Sequence, residues 1–218
     1  MHLRLGCPTI LIFPTLQSIN AIDGNIHTSN GPIRGVFNTT SSLEIKTSNS
    51  PIQVAVGLTS LNDGPEPKLV MRTRNSPLEG EISLLQPSSS SSLKSVGIYH
   101  VDAETSNSRL GLAFATAPVG STLTLNAATS NSPANVALHP TFEGDFDLST
   151  SNWFKALVVE DEDVQDPSGK DRKRDISYNR VDGQHKVVGK VFWGEDGNNK
   201  ADGVVKVHTS NSGVVLKL

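Results

Sequence analysis

Apolar and polar positions alternate in short runs along this chain, and the runs break at a recurring triplet. The triplets are Thr28-Ser29-Asn30, Thr47-Ser48-Asn49, Thr105-Ser106-Asn107, Thr129-Ser130-Asn131, Thr150-Ser151-Asn152 and Thr209-Ser210-Asn211, with Thr73-Arg74-Asn75 as a variant, seven copies in all. Two residues before each Thr stand Ile26, Ile45, Met71, Ala103, Ala127, Leu148 and Val207; four before stand Gly24, Leu43, Leu69, Val101, Leu125, Phe146 and Val205. Five residues after Thr come Ile33, Ile52, Leu78, Leu110, Ala134, Lys155 and Val214, and nine after come Phe37, Val56, Ile82, Phe114, Leu138, Val159 and Leu218. Immediately before Thr the column is tolerant or polar: His27, Lys46, Arg72, Glu104, Ala128, Ser149 and His208. Successive side chains of a strand point to opposite faces, so each copy is expected to form two half-buried strands around a bend. Lys155 breaks its column and marks the sixth copy as the least regular.

Each bend has a stated chemistry. Asn tolerates the left-handed backbone region, and Ser and Thr hydroxyls bond the local main chain. Pro32, Pro51, Pro77 and Pro133 then fix φ and restart extended chain, so the second strand is expected to begin at each proline. Repeated strand–bend–strand units suit a stacked architecture, in which like residues lie over one another as Thr, Ser and Asn ladders. The expected fold is an all-β, single-domain, right-handed β-solenoid of about seven to eight coils. The alternative is an antiparallel β-sandwich in which each unit is a hairpin, as Asn30-Gly31 taken alone suggests.

Extra residues fall in one phase of the repeat: Asn38–Ser42, Thr59–Lys68, Gln86–Ser95, Thr116–Ser121 and His139–Asp145. They read as loops along one edge, where repeat proteins often bind. The largest excursion spans about 160–202 and holds Ile176-Ser177-Tyr178 and Lys186–Trp193, two strands around an Asp182-Gly183 turn. Val188–Phe192 echoes Ile33–Phe37, which suggests one coil persisting there without its triplet. The final strand, Val214–Leu218, has no cap after it; either the insertion or Met1–Ala21 covers an end, or copies associate end to end.

Composition narrows the class. Among 218 residues, 19 Lys and Arg stand against 22 Asp and Glu, a net charge of −3. No basic surplus favours nucleic acid or an anionic membrane, and no apolar run is long enough to span a bilayer. The single cysteine, Cys7, excludes an internal disulfide and a cysteine-based zinc site, and reads as a small buried residue. Met1–Ala21 carries Arg4, apolar Leu5–Phe13 and Ala21, a weak secretory pattern interrupted by Pro8 and Pro14. It reads as a leader or an N-terminal cap to a repeat domain over 22–218, which leaves the compartment open between cytoplasmic and secreted.

Tandem Thr-Ser-Asn-(Gly/Ser)-Pro-Ile segments, with Asp166-Pro167-Ser168-Gly169-Lys170 before the last copy, resemble an uncharacterised fungal family. That family is a domain of unknown function, distantly similar to the adhesin repeat domains of bacteria. The resemblance covers about Ile22 to Leu218; it implies a β-solenoid and brings no catalytic residues.

Candidate chemistry is sparse. The dense carboxylates, Glu160–Asp163 with Asp166, fail the EF-hand pattern, because no Gly follows and position twelve is Arg172. They read as a charged loop partly neutralised by Lys170–Arg174, with Asp161 and Asp163 as ligand contacts or, in a carbohydrate-active enzyme, as acids. Trp153, Tyr178 and Trp193 are candidate sugar-stacking rings, Tyr99 an assistant, against the plainer reading that these rings cap the core. The histidines lack metal-ligand spacing, no Gly-x-Ser-x-Gly elbow occurs, and no catalytic, metal or cofactor residue is assigned. Two functions remain: a non-catalytic, adhesin-like module that contacts a glycan or protein through its loop edge, or a polysaccharide lyase or hydrolase.

Overall fold

The structure, a computed structural model, describes residues 18–61, 64–87, 97–151, 153–161, 163–181, 185–194 and 203–218. Cys7, the Ser88–Ser92 run, the Asp182-Gly183 turn and all of Met1–Ala21 before Ser18 lie outside them. Among the described residues there is no helix, and 15 strands share one hydrogen-bonded sheet that is mostly parallel. β1 (Ser18–His27) lies along β2 (Ile33–Lys46), and β2 belongs to both wings of the sheet. Residues 33–39 of β2 pair with β3 (Ile52–Thr59), whereas residues 42–46 pair with β4 (Lys68–Arg72). From β3 the wing of strands that follow the triplets continues through β5 (Leu78–Leu85), β7 (Leu110–Thr116) and β9 (Ala134–Ala137). From β4 the wing of strands that precede the triplets continues through β6 (Ile98–Glu104) and β8 (Thr122–Thr129).

Among the described residues no copy pairs with itself as a hairpin; each strand of a copy pairs in parallel with the equivalent strand of a neighbouring copy. The register stacks column on column: Leu43, Leu69, Val101 and Leu125 in one wing, Ile52, Leu78, Leu110 and Ala134 in the other. All eight are buried and belong to one apolar cluster fed by both wings. Apart from Ala134, each of these branched side chains contributes roughly 1.5–3 kcal/mol relative to solvent exposure.

Between the wings the triplets form ladders. The side-chain amide of each Asn donates to the Asn carbonyl oxygen below it: Asn49 to Asn30 at 2.8 Å, Asn75 to Asn49 at 2.7 Å, Asn107 to Asn75 at 2.8 Å and Asn131 to Asn107 at 2.7 Å. The Thr hydroxyls turn inward and donate to main-chain carbonyls of the previous copy, as Thr73 does to Ser50 at 3.3 Å and Thr129 to Ser108 at 3.1 Å. The middle residue works through its backbone: the Ser48 carbonyl accepts the amides of both Arg74 and Asn75. Among the described residues the only non-glycine with positive φ is Asp171, so the six described triplet asparagines are not left-handed. Asn is there for its two-ended amide, which can accept from above and donate below. The strands after Pro32, Pro51, Pro77 and Pro133 begin one residue later, at Ile33, Ile52, Leu78 and Ala134.

The stacking order departs from the chain order. β14 (Gly203–Thr209) lies between β8 and β10 (Gly144–Ser149), and β15 (Val214–Lys217) lies between β9 and β11 (Ala156–Val159). The seventh copy is thus inserted between the fifth and the sixth. Asn211 donates to Asn131 at 2.8 Å, and the Thr150 hydroxyl in turn reaches the Ser212 carbonyl at 2.5 Å. Where β10 meets β14, Gly144 has φ 155° and stands against Gly203, whose carbonyl occupies the space a Cβ would need.

Several expectations are corrected. Asn38–Ser42 is no loop, because β2 runs through it unbroken. Lys155 acts as an extra residue, so Ala156 pairs with Val214 and fills the core slot, and Val159 is 45% exposed rather than buried. The insertion does form the expected strand pair, β12 (Arg174–Val181) and β13 (Lys186–Trp193), but β13 runs antiparallel to β10 and is not a further copy. The final strand is covered on both sides, by β9 and β11. The insertion ends one wing only, and β11 is the last strand of the other.

Candidate binding trough along the triplet column

The aromatic candidates separate by position. Trp193 is 3% exposed, its indole N–H donates to the Pro140 carbonyl at 2.9 Å, and the Arg172 and Arg174 guanidiniums approach its ring at 6.0 and 5.7 Å. Tyr178 pairs across Gly189 and is half-buried, with its ring 6.4 Å from that of Phe146. Any side chain at Gly189 would collide with the Phe146 ring and the Ser177 carbonyl, so glycine is what lets the two rings meet. Tyr99 is fully buried and donates to the Leu85 carbonyl at 2.7 Å; burial pushes its phenol up to about 12. Trp193, Tyr178 and Tyr99 therefore serve packing. Trp153, at 91% exposure, is the one ring of the four open to a ligand.

The acidic segment is spent on its own fold. Asp161 and Asp163 are exposed; the Asp161 carboxylate accepts the Asp163 amide at 3.3 Å, and the Asp161 amide donates to the Leu218 carbonyl at 3.1 Å. The Asp166 side chain is only 2% exposed. It accepts from the Ser168 hydroxyl, from the amides of Ser168, Lys170 and Arg172, and from two nitrogens of the Arg172 guanidinium. Arg172 above all holds this carboxyl well below the usual carboxylate range. Arg172 also faces Glu143 at 3.5 Å. The Arg174 guanidinium is buried without a hydrogen-bond partner; burial lowers its pKa, and the charges of Asp161 and Glu160 oppose that shift. Among the described residues no group of three His, Cys, Asp or Glu could hold a metal ion.

The surface feature with convergent polar chemistry lies at the triplet corner. A trough of about 390 Å³ crosses the first four copies, lined by His27, Ser29, Lys46, Ser48, Arg72, Arg74, Glu104 and Ser106 together with Thr28, Thr47 and Thr73. Its length is about 14 Å, three strand spacings of roughly 4.8 Å. Parallel stacking brings the column just before each Thr (His27, Lys46, Arg72, Glu104) beside the middle column (Ser29, Ser48, Arg74, Ser106). Lys46 pairs with Glu44, holding that carboxyl below its ordinary range, and Arg72 Nε stands 3.4 Å from Glu104. A second concavity, about 600 Å³ with an apolar floor, lies on the wing that follows the triplets, over Gly111, Ala113, Asn135, Ala137, Val215 and Lys217.

Sequence reasoning overlooked His27, Lys46, Arg72 and Arg74 as a group. The signal was present: the pre-Thr column and the departure of copy three from Ser are both visible, but only the in-register stack makes them neighbours. Comparison with protein-family models, with curated proteins and with solved structures finds no match to this chain.

Proposed function

We propose that the chain is a right-handed β-solenoid that works as a non-catalytic, adhesin-like binding module for an extended glycan. In-register parallel pairing and the shared core support the solenoid, and right-handed crossover is the rule for parallel strands. One observation carries the binding reading: the trough lined by hydroxyls and charged groups that runs along the stack across four copies. A groove parallel to the stack sets the Ser hydroxyls of neighbouring copies in a row beside charged groups, which suits a chain ligand better than a compact one. The proposed binding surface is the triplet corner rather than the loop edge. For the enzyme reading, the candidate acids Asp161 and Asp163 stand exposed outside the trough, and the segment's buried carboxylate, Asp166, is engaged by Arg172.

Screening the purified protein on an array of linear and branched glycans should give binding to linear oligomers. A blank array would remove the proposal. Membership of the uncharacterised fungal family is proposed on the repeated triplets. End-to-end association would use the outer edge of β11, where Trp153, Leu157 and Val159 are exposed. Light scattering should then show mass rising with concentration in the wild type and less so in Leu157→Lys; a concentration-independent monomer would exclude it.

A further inference from the structure

The middle residue of the triplet is Ser in every copy but the third, where it is Arg74. The fold does not ask for this change. The Arg74 amide donates to the Ser48 carbonyl at 3.2 Å, and its own carbonyl accepts the amides of Ser106 and Asn107, as the Ser106 carbonyl does for Ser130 and Asn131. On either side of it, Thr73 and Asn75 keep their ladder bonds at 3.3 and 2.7 Å. The Arg74 side chain is free of that work. The residue is exposed, lines the trough, and makes no ion pair with any described residue.

Around it the charges are unbalanced. Arg72, the last residue of β4, is paired with Glu104, the one acid in the lining; Lys46 in the copy below is paired with Glu44, and His27 lies in the copy below that, so Arg74 is the uncompensated cation of the trough. This uncompensated positive charge sits on a chain whose net charge is −3. Guanidinium groups take carboxylates and sulfates through paired N–H bonds, and the neighbouring Ser hydroxyls suit the hydroxyls of a sugar. The lining holds no Trp, Tyr or Phe on which nucleobases could stack, which separates this groove from a single-stranded nucleic-acid channel.

We infer that the trough is an anion subsite for a linear acidic glycan, a polymer bearing carboxylate or sulfate groups, with Arg74 selecting for the charge. The inference rests on the glycan-binding reading and narrows it. Binding of octagalacturonate, its fully methyl-esterified form, a dextran sulfate oligomer and a single-stranded oligonucleotide is measured by calorimetry at two salt concentrations. The wild type and Arg74→Ser are compared; the variant restores the residue that the other copies carry, and thermal unfolding confirms that it stays folded. The expected result is tighter binding of the galacturonate or the sulfate than of the ester. Arg74→Ser should lose about tenfold in affinity for that acidic ligand, the loss of a charge-assisted hydrogen bond, and little for the ester. Whichever acidic arm binds identifies carboxylate or sulfate as the source. Equal binding of ester and acid, unchanged in Arg74→Ser, overturns the subsite and leaves the glycan reading standing. Oligonucleotide binding as tight as that of the glycans overturns the ligand class, and no binding of any oligomer removes both.

Discussion

Asn75 shows what one side chain does in a stack of this kind. Its amide donates to Asn49 while its carbonyl oxygen accepts from Asn107, so it closes two rungs at once. Asn75→Asp keeps the shape and removes the donor, setting a carboxylate against the Asn49 oxygen. Each exposed amide bond is worth about 0.5–1.5 kcal/mol, so Asn75→Asp should lower unfolding free energy by about 1–2 kcal/mol in urea titration, more than Asn75→Ser. No change would show that the ladder follows the stacking rather than helping to hold it. The recurrence of Asn was legible in the sequence; its reason was not, because turn statistics favour the left-handed explanation that the observed dihedrals exclude. Tyr99 gives a pH test. Its phenol is raised to about 12 from an ordinary value near 10, so its contribution is complete below pH 10 and is lost as pH climbs toward 12. Tyr99→Phe should flatten that alkaline limb while costing about 1 kcal/mol at neutral pH, since the Leu85 carbonyl still accepts the Ser60 amide. An unchanged alkaline limb would dissociate Tyr99 from it.

Strands were readable where a one-sided core imposes alternation, and their pairing partners were less so. The two strands of the insertion alternate as the repeat strands do, and nothing in alternation tells a parallel neighbour from an antiparallel one; hence β13 resembled another copy and proved to be a reversed strand capping a wing. The sixth copy teaches a related point. One surplus residue, Lys155, shifts every later side chain by one place, so Ala156 takes the core slot while Leu157 and Val159 face outward. The connection between β11 and β12 is ordered by Asp166, whose pKa lies below the usual range. Its stabilisation is therefore present above about pH 4 and declines as the medium turns more acid. Asp166→Asn should be less stable than wild type at pH 7 and should show a shallower acid limb in thermal melts from pH 6 to pH 2. Parallel curves would mean that the Arg172 contact carries no net weight.

At the scale of the molecule, the class of fold followed from the columns, whereas the order of the copies could not. Seven near-equivalent triplets fit one another in any sequence, and what selects the observed order is long-range: the insertion after the sixth copy gives the chain enough length to turn back. The trough was hidden for the same reason, since its lining comes from four copies separated along the chain. Removing residues 203–218 would leave β8 and β9 facing β10 and β11 across an empty layer. That truncation should abolish cooperative melting of the fifth and sixth copies, read by hydrogen exchange at β10 and β11. Full protection there would mean that the sixth copy settles directly onto the fifth.

The layer made after the other six copies is also the one wedged between two of them. A growing chain emerging from the ribosome could settle its first five copies as they appear, but the sixth must wait for residues that have not yet been translated. A chain cut short before β14 would be not merely a shorter molecule but one with a gap between its courses, open to any strand able to fill it.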